Sequence, residues 1–421
     1  MGRLAALFLL FSLFFTGCLH IGLASSLQGS RSLSSHGTIR YENVPSLQVF
    51  GAHGPDKLTK EQLNNVNLLA QSLDMYRCWY YRGYQVPQLH QINPNMLILL
   101  YRNIRAIYNY SDEWQTALDQ EWLLRDSSGA LVHSTIWPEI YMTDIGNPEY
   151  QDFVANWIKN YTDLYGYDGV FSDNGLLVTP SECFWGSSGE PVNSRTGNLW
   201  TSEEIVDAYI AFHNRIKATI GSKLDIANGI FHGERFFSSD KHDNYVKVLT
   251  ESNLDGFMSE GLFNWNEYYS EDKWKKSVDF VVWIQENFLN QTGKIFSPHA
   301  QCAVDQIPAD CTTQQMATFV FSSLLLGINK SQNYLSLQGA MLLDEIQDLF
   351  KIDLGVPKAN YYLIEGTHVY ARDFTKIKVL VNPTDQPFLV YLDGDYETLE
   401  GQIVSSVNME PHTGLILKVI Y

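Results

Sequence analysis

The chain has 421 residues, a length that suits a barrel of about 250 residues with a small appendage. Its composition is globular, with 45% hydrophobic and 18% charged residues, so it can bury a large core. The formal net charge of −18 argues against nucleic acid as a partner, because nucleic-acid binding draws on a basic surface.

The N-terminus has the pattern of an export signal. Arg3 supplies a positive charge, and an apolar run over residues 4–15 is too short to span a bilayer comfortably. The run leads into Phe-Thr-Gly-Cys18, which resembles a lipobox in which Cys18 becomes the lipid-modified first residue. The alternative is an ordinary signal peptide cut after Ala24. We therefore expect a protein that is secreted, or anchored through Cys18 to the outer face of the cell membrane.

Export changes what the cysteines indicate. Four follow Cys18, and an even number in an exported chain permits two disulfides, with three connectivities. Cys302 and Cys311 are close in sequence and would staple one loop, which leaves Cys78 and Cys183 as the second pair. The alternative is that all four are buried thiols.

After a Ser/Gly/Leu-rich stretch, short apolar strands alternate with helical patterns, which is the signature of βα units in a parallel sheet. Helices are predicted between the strands, one with Thr59 and Gln62 in capping-box spacing and one running from an Asn147 cap to Gly166. Eight strands with intervening helices predict a (β/α)8 TIM barrel of the α/β class. The predicted strands are 46–52, 76–81, 96–101, 169–173, 224–230, 256–260, 294–301 and 332–337.

From about Tyr361 the pattern changes to strand-like stretches separated by turn signals, without a helical period. These strand-like stretches with intervening turns predict a small C-terminal antiparallel β domain. The predicted segments are a signal peptide (1–24), a tether (25–44), a TIM-barrel catalytic domain (45–355) and a C-terminal β domain (356–421).

In a TIM barrel the active site lies at the C-terminal ends of the strands, because the βα loops converge there. Two of the polar residues predicted at these ends are carboxylates, Asp173 after strand four and Glu260 after strand six. Each closes the same pattern, Gly-apolar-apolar-Ser-acid. The predicted strand-end residues are His53, Arg102, Asn103, Asp173, Asn174, Asn228, Glu260, His299 and Gln301.

A pair of carboxyl groups at one barrel mouth is what glycosidic cleavage requires. One group protonates the leaving oxygen, and the other attacks the anomeric carbon or activates water. The alternative is turn chemistry at Asp173-Asn-Gly and at Glu260-Gly. Since each acid ends a buried strand, we predict that Asp173 and Glu260 are catalytic.

Other residues near the strand ends are candidates for binding the sugar. Arg102 suits a hydroxyl or uronate carboxylate, or equally an ion pair with one of the catalytic acids. Loop tryptophans are candidates either for stacking on sugar or for packing: Trp79, Trp185, Trp200 and Trp265. The predicted substrate contacts are His53, Arg102, Asn174, Asn228, Trp265, His299 and Gln301. No cofactor or metal site is predicted, since no nucleotide or zinc motif occurs.

Three stretches carry a resemblance to a known family: residues 93–101, Asp144-Ile-Gly-Asn-Pro, and Tyr167-Asp-Gly-Val-Phe-Ser-Asp-Asn174. The chain resembles the hypothetical glycosyl-hydrolase-like family fifteen, TIM barrels distantly related to the alpha-galactosidase superfamily. The likeness covers roughly residues 45–350. The C-terminal stretch also looks like the β domain that follows such barrels.

The resemblance implies roles for the two acids. In that superfamily the strand-four Asp is the nucleophile and a strand-six acid is the acid/base, so Asp173 and Glu260 would act in a retaining mechanism on an oligo- or polysaccharide. Glu260 departs from the Asp that is usual at strand six. Two other hypotheses are a non-catalytic surface carbohydrate-binding protein and a metal-dependent glycan esterase or deacetylase.

Overall fold

The computed structural model describes residues 47–49, 58–175, 177, 186–289, 292–329 and 333–421. Its central feature is an eight-stranded parallel sheet in the order β1-β8-β7-β6-β5-β4-β3-β2, the cyclic order of a TIM barrel. The predicted (β/α)8 fold is thereby confirmed. The strands are β1 (Leu47–Val49), β2 (Met75–Cys78), β3 (Leu97–Asn103), β4 (Gly169–Asp173), β5 (Leu224–Asn228), β6 (Gly256–Ser259), β7 (Ile295–Gln301) and β8 (Asn333–Gln338).

The helices of the barrel start and stop at residues with the expected capping chemistry. The predicted capping box of Thr59 and Gln62 forms, and Gly166 ends the helix after Asn147 in the left-handed conformation. No helix in the described part of the chain is long and apolar enough to cross a membrane. The α-helices are α1 (Lys60–Asn64), α2 (Val66–Ser72), α3 (Val86–Ile92), α4 (Trp114–Asp119), α5 (Pro148–Tyr165), α6 (Ser202–Ile220), α7 (Gly233–Phe237), α8 (His242–Glu251), α9 (Glu271–Ile284), α10 (Thr313–Gly327) and α11 (Asp344–Leu349).

A long excursion separates β3 from α5. It contains α4 and a short antiparallel pair formed by residues 106–108 and 140–142. A second pair joins residues 125–126 to 191–192, in the connection after β4. The excursion therefore folds over the C-terminal ends of β3 and β4, on the side of the barrel where the site is expected.

The C-terminal residues form a separate six-stranded antiparallel sheet in the order β9-β10-β11-β14-β12-β13. Arg372 in β10 is buried and donates to the carbonyls of Leu325 (3.0 Å) and Ile328 (2.8 Å). These carbonyls belong to the C-terminal turn of α10, where intrahelical donors are missing. The sheet strands are β9 (Tyr362–Leu363), β10 (Tyr370–Asp373), β11 (Ile377–Asn382), β12 (Phe388–Glu397), β13 (Ile403–Met409) and β14 (Thr413–Val419).

The cysteines differ from the predicted disulfides. Cys78, Cys302 and Cys311 are buried free thiols, so the bridge predicted between Cys302 and Cys311 is not formed. Cys183 and Cys18 lie outside the described residues. For the three described cysteines the alternative of buried thiols is the one observed, and their burial among apolar side chains is the common environment of free cysteine.

The Gly-apolar-apolar-Ser-acid pattern follows from the alternation of a barrel strand. In β4, Phe171 belongs to the apolar cluster inside the barrel, whereas Val170 packs in the layer between strands and helices. Because successive side chains alternate, Gly169 and Asp173 share the inner face with Phe171, and Ser172 faces outward. There the Ser172 hydroxyl donates to the buried carboxylate of Asp225 at 2.8 Å.

The glycine that opens each pattern is required by a close approach of the neighbouring strand. A Cβ at Gly169 would lie 2.1 Å from the carbonyl oxygen of Leu224, and one at Gly256 would lie 2.5 Å from that of Ile295. Both obstacles are backbone atoms of hydrogen-bonded strands. A larger residue would therefore displace a barrel strand that carries part of the site.

We expect Gly169→Ala to lower the free energy of unfolding by about 3 kcal/mol, the upper range for overpacking, because the strand cannot yield without losing its ladder. Gly394→Ala is the control, since nothing lies within 4 Å of its Cβ. Urea denaturation followed by circular dichroism measures both variants. Equal transition midpoints for the two variants would contradict the role assigned to Gly169.

Candidate active site

The two predicted catalytic acids lie on either side of one amide. Asp173 is the last residue of β4, Glu260 follows β6 directly, and Asn228 ends β5, the strand between them. The Asn228 Nδ2 donates to Asp173 Oδ1 and to Glu260 Oε2, both at 2.9 Å. The structure therefore brings together three residues predicted for the site, and it does so from three adjacent strands.

Asp173 is buried and held by further donors. The Tyr101 hydroxyl donates to Asp173 Oδ2 at 2.5 Å, and the Asn174 side chain donates to the same oxygen at 3.1 Å. Burial, and then the charge of Asp173, raises the pKa of Tyr101, so the phenol keeps its proton and remains a donor. Asn174 adopts a positive φ of 61°, a conformation that asparagine tolerates better than most residues. These contacts fix the orientation of the Asp173 carboxylate.

Glu260 has a different environment. Its side chain is half-buried, and burial raises its pKa to about 7, with the neighbouring Asp173 carboxylate adding to the rise. The hydrogen bond from Asn228 and the charge of Arg77 act in the opposite direction. Near neutral pH a substantial fraction of Glu260 is therefore protonated. A carboxyl group whose pKa is raised toward neutrality is suited to an acid/base role.

Arg77 is a site residue that the sequence analysis missed. It lies on β2, 2% exposed, with its guanidinium 4.5 Å from the Phe171 ring centroid. Burial lowers the pKa of Arg77 to about 9, whereas Asp173 and Glu260 oppose this shift. The side chain is therefore a cation at neutral pH below the two acids. The sequence could have indicated this through the alternation of side chains along β2. Arg77 lies two residues after Met75 and therefore faces the barrel interior with it.

His299 and Gln301 lie on β7 at the same mouth. His299 is fully buried, and burial followed by the charge of Arg77 lowers its pKa to about 3, so the imidazole is neutral at physiological pH. Gln301 accepts from the backbone N–H of Asn266 at 3.0 Å, and its backbone pairs with the Asn264 side chain. Gln301 therefore holds the loop that follows Glu260.

Trp265 lies on that loop, close to Glu260. Its side chain is 37% exposed, and its ring packs on Gly261, where a Cβ would come within 2.5 Å of it. Gly261 adopts a positive φ of 70°, so the turn and the close ring both require glycine. A partly exposed indole beside one of the two acids is well placed to stack on a sugar ring.

Arg102 does not reach the two acids. Its guanidinium pairs with both oxygens of Glu113, at 2.9 and 2.8 Å, and lies 4.7 Å from the Trp157 ring centroid. The predicted alternative of an ion pair with Asp173 or Glu260 is wrong. The reason is alternation: Tyr101 faces the barrel interior with Phe171, so its neighbour Arg102 faces outward, toward α5 and the excursion.

Three other tryptophans and His53 were also predicted near the site. Trp200 is buried against Arg195, 4.9 Å from its guanidinium, and so packs rather than stacks. Trp79 is half-buried and contacts the Tyr101 ring, with 4.2 Å between centroids. His53 and Trp185 lie outside the described residues.

Comparison with known proteins decides the family. Residues 90–378 match the family model described as hypothetical glycosyl hydrolase family 15. The chain belongs to this family. The chain is therefore a glycoside hydrolase with a carbohydrate substrate, in agreement with the prediction from the paired acids. A search of curated proteins gives no match.

Solved structures show the same fold as this glycoside hydrolase. An alpha-amylase from Lactobacillus plantarum is 12% identical, with a TM-score of 0.51 over 90% of this chain and 98% of that chain. An Anoxybacillus alpha-amylase is 11% identical, with a TM-score of 0.50 over 85% of this chain and 88% of that chain. At such identities the likeness concerns the fold, a TIM barrel followed by a β domain.

Proposed function

We propose that this glycoside hydrolase cleaves an oligo- or polysaccharide with retention of anomeric configuration, with Asp173 as nucleophile and Glu260 as acid/base. The observation that carries the proposal is the Asn228 amide nitrogen, 2.9 Å from an oxygen of each acid. The separation of the two carboxyl groups distinguishes the mechanisms, because an inverting enzyme needs room for a water between one acid and the sugar.

The shared amide limits that separation. The two carboxylate oxygens cannot be farther apart than twice the 2.9 Å that joins each to the nitrogen. The two N–H bonds of an amide diverge by about 120°, which places the acceptor oxygens about 5 Å apart. Retaining enzymes have about 5–5.5 Å between the groups, and inverting enzymes have about 6.5–9.5 Å. The separation of about 5 Å applies to the two oxygens that face Asn228, and it supports direct attack by Asp173.

In the first step an Asp173 oxygen bonds to the anomeric carbon while the glycosidic C–O bond breaks. The proton of Glu260 passes to the leaving oxygen. In the second step water attacks the same carbon, its proton returns to Glu260, and the Asp173 ester bond breaks. Ester formation removes the negative charge of Asp173, one of the causes that raise the pKa of Glu260, so this pKa falls and Glu260 is ionised, as a base must be, for that step.

Arg77 serves both halves of this cycle. Before attack it faces an ionised Asp173 and a protonated Glu260, and after attack it faces a neutral ester and an ionised Glu260. One negative charge remains near the guanidinium throughout, which suits a buried cation that does not move. Of the residues predicted to bind substrate, we propose that Asn174 and Trp265 contact the sugar, and that Asn228 positions both acids.

Azide rescue tests the two roles. We expect Asp173→Ala and Glu260→Ala each to lower kcat by about 10³-fold or more on an aryl glycoside. Azide then restores turnover, giving a glycosyl azide of inverted configuration with Asp173→Ala and of retained configuration with Glu260→Ala. Glu267→Gln, an exposed acid on the same loop as Trp265, is the control and keeps wild-type activity. Proton NMR of the first wild-type product must show retention, and an inverted anomer would refute the mechanism.

The protonation of Glu260 predicts a pH dependence. A general acid must carry its proton, and the pKa of Glu260 is raised to about 7, so kcat/KM should fall as the pH rises through about 7. Arg77 lowers this pKa, and Arg77→Met should therefore move the alkaline limb to higher pH. Initial rates across pH with wild type and variant measure both limbs. A limb that stays in place in Arg77→Met would contradict the electrostatic role of Arg77.

We also propose that the chain is exported and carries a lipid on Cys18, because residues 1–18 have the charge, apolar run and small residues of such a signal. The full chain expressed in a bacterium should then appear in the membrane fraction, with a mass that begins at an acylated Cys18. Cys18→Ala should lose the added mass. Soluble protein beginning at Ser25 would contradict lipidation, and an intact N-terminus in the cytosol would contradict export.

A further inference from the structure

A cavity of about 720 Å³ opens between the segment after β2 and the excursion after β3, and Tyr101, which donates to Asp173, forms part of its wall. Most of its wall is aromatic, from the β2 side (Trp79, Tyr81), from the excursion (Tyr110) and from α5 (Trp157). Its volume is within the range of about 300–1,000 Å³ that encloses drug-sized ligands, the size of two or three linked sugar rings.

Tyr101 is the residue that the cavity shares with the catalytic site. The hydroxyl of Tyr101 donates to Asp173, and the residue also lines the cavity. Trp79 continues this surface, with 4.2 Å between its ring centroid and that of Tyr101, and Tyr81 stacks beyond it at 6.0 Å. A chain that starts at Asp173 therefore meets a row of aromatic rings on leaving the site.

Several of these rings are left open to solvent. Tyr81 is 52% exposed and Tyr110 is 73% exposed, although each ring also contacts an aromatic neighbour, Trp79 and Tyr108 respectively. Exposed aromatic faces that surround a concave surface are a feature of recognition sites. The C–H face of a pyranose ring packs on such faces while its hydroxyls stay available for hydrogen bonds.

The charged residues of the lining favour a neutral sugar over an anionic one. Arg102 is the one cation among the described residues of the lining, and both of its hydrogen bonds to Glu113 neutralise it within the protein. Asp112 adds an exposed negative charge. An anionic sugar would meet a carboxylate without gaining a free cation, which disfavours uronates and sulfated chains.

We propose that this aromatic cavity binds the continuation of a neutral glycan chain beyond the sugar at Asp173, and that it makes the enzyme selective for neutral oligo- and polysaccharides. The inference rests on the proposed function for the position of the cleaved bond, but binding in the cavity is measurable without turnover. It assigns Tyr81 and Tyr110 as stacking residues and Arg102 as a residue that shapes the cavity through Glu113.

The test uses Asp173→Asn, so that substrates bind without being cleaved. Calorimetry measures the Kd of maltohexaose, cellohexaose, chitohexaose and mannohexaose, of the corresponding disaccharides, and of hexagalacturonate. We expect at least one neutral hexasaccharide to bind about tenfold or more tightly than its disaccharide, and hexagalacturonate to bind more weakly. Adding Tyr81→Ala and Tyr110→Ala should weaken hexasaccharide binding about tenfold and leave disaccharide binding unchanged.

Tyr391→Ala in the same background is the matched control, because Tyr391 is 77% exposed on β12, away from the cavity lining. Equal losses in the control and the cavity variants would overturn the inference, as would a preference for hexagalacturonate or no binding of any neutral hexasaccharide. Binding that depends on the cavity without any hydrolysis by the wild type would refute the proposed function and leave this inference in place.

Discussion

The active site depends on keeping two carboxyl groups within reach of one amide inside a barrel. At an effective dielectric constant of about 20, two unit charges about 5 Å apart repel by about 3 kcal/mol. Burial and this repulsion favour a proton on Glu260, whereas the hydrogen bond from Asn228 and the charge of Arg77 limit the rise in the pKa of Glu260 to about 7. Asn228 also joins the two carboxyl groups, so it sets the distance on which their repulsion depends.

Strand alternation places these groups on one face. Arg77, Tyr101, Asp173 and Asn228 each lie an even number of residues from an apolar side chain inside the barrel, so their strands deliver them to the same mouth. The serines of the two repeated patterns point the other way and bind polar groups in the helical layer, as Ser172 binds Asp225. The same short pattern therefore builds the site and attaches its strands to their surroundings.

Much of this was predictable from the sequence, because periodicity and capping act locally. β4 has the predicted bounds, α5 lies between the predicted Asn147 cap and Gly166, and Asp173, Glu260 and Asn228 converge because strand ends in a barrel converge. Arg77 was missed because it lies inside β2, away from the strand end. Tyr101 was missed because it was counted as part of the predicted strand and only the residues that follow it were considered. Arg102 was misassigned because the alternation of side chains along its strand was not considered. The aromatic cavity joins segments distant in sequence, so no local pattern could predict it.

The glutamate at position 260 has a geometric basis. β6 ends at Ser259, so the acid stands one residue beyond the ladder, where the backbone has begun to turn toward Gly261. An aspartate there would carry its carboxyl about 1.5 Å, the length of one methylene, short of the position from which Glu260 accepts the hydrogen bond of Asn228. The longer side chain therefore lets one amide bind both carboxyl groups, although Glu260 leaves its strand one residue after the ladder ends.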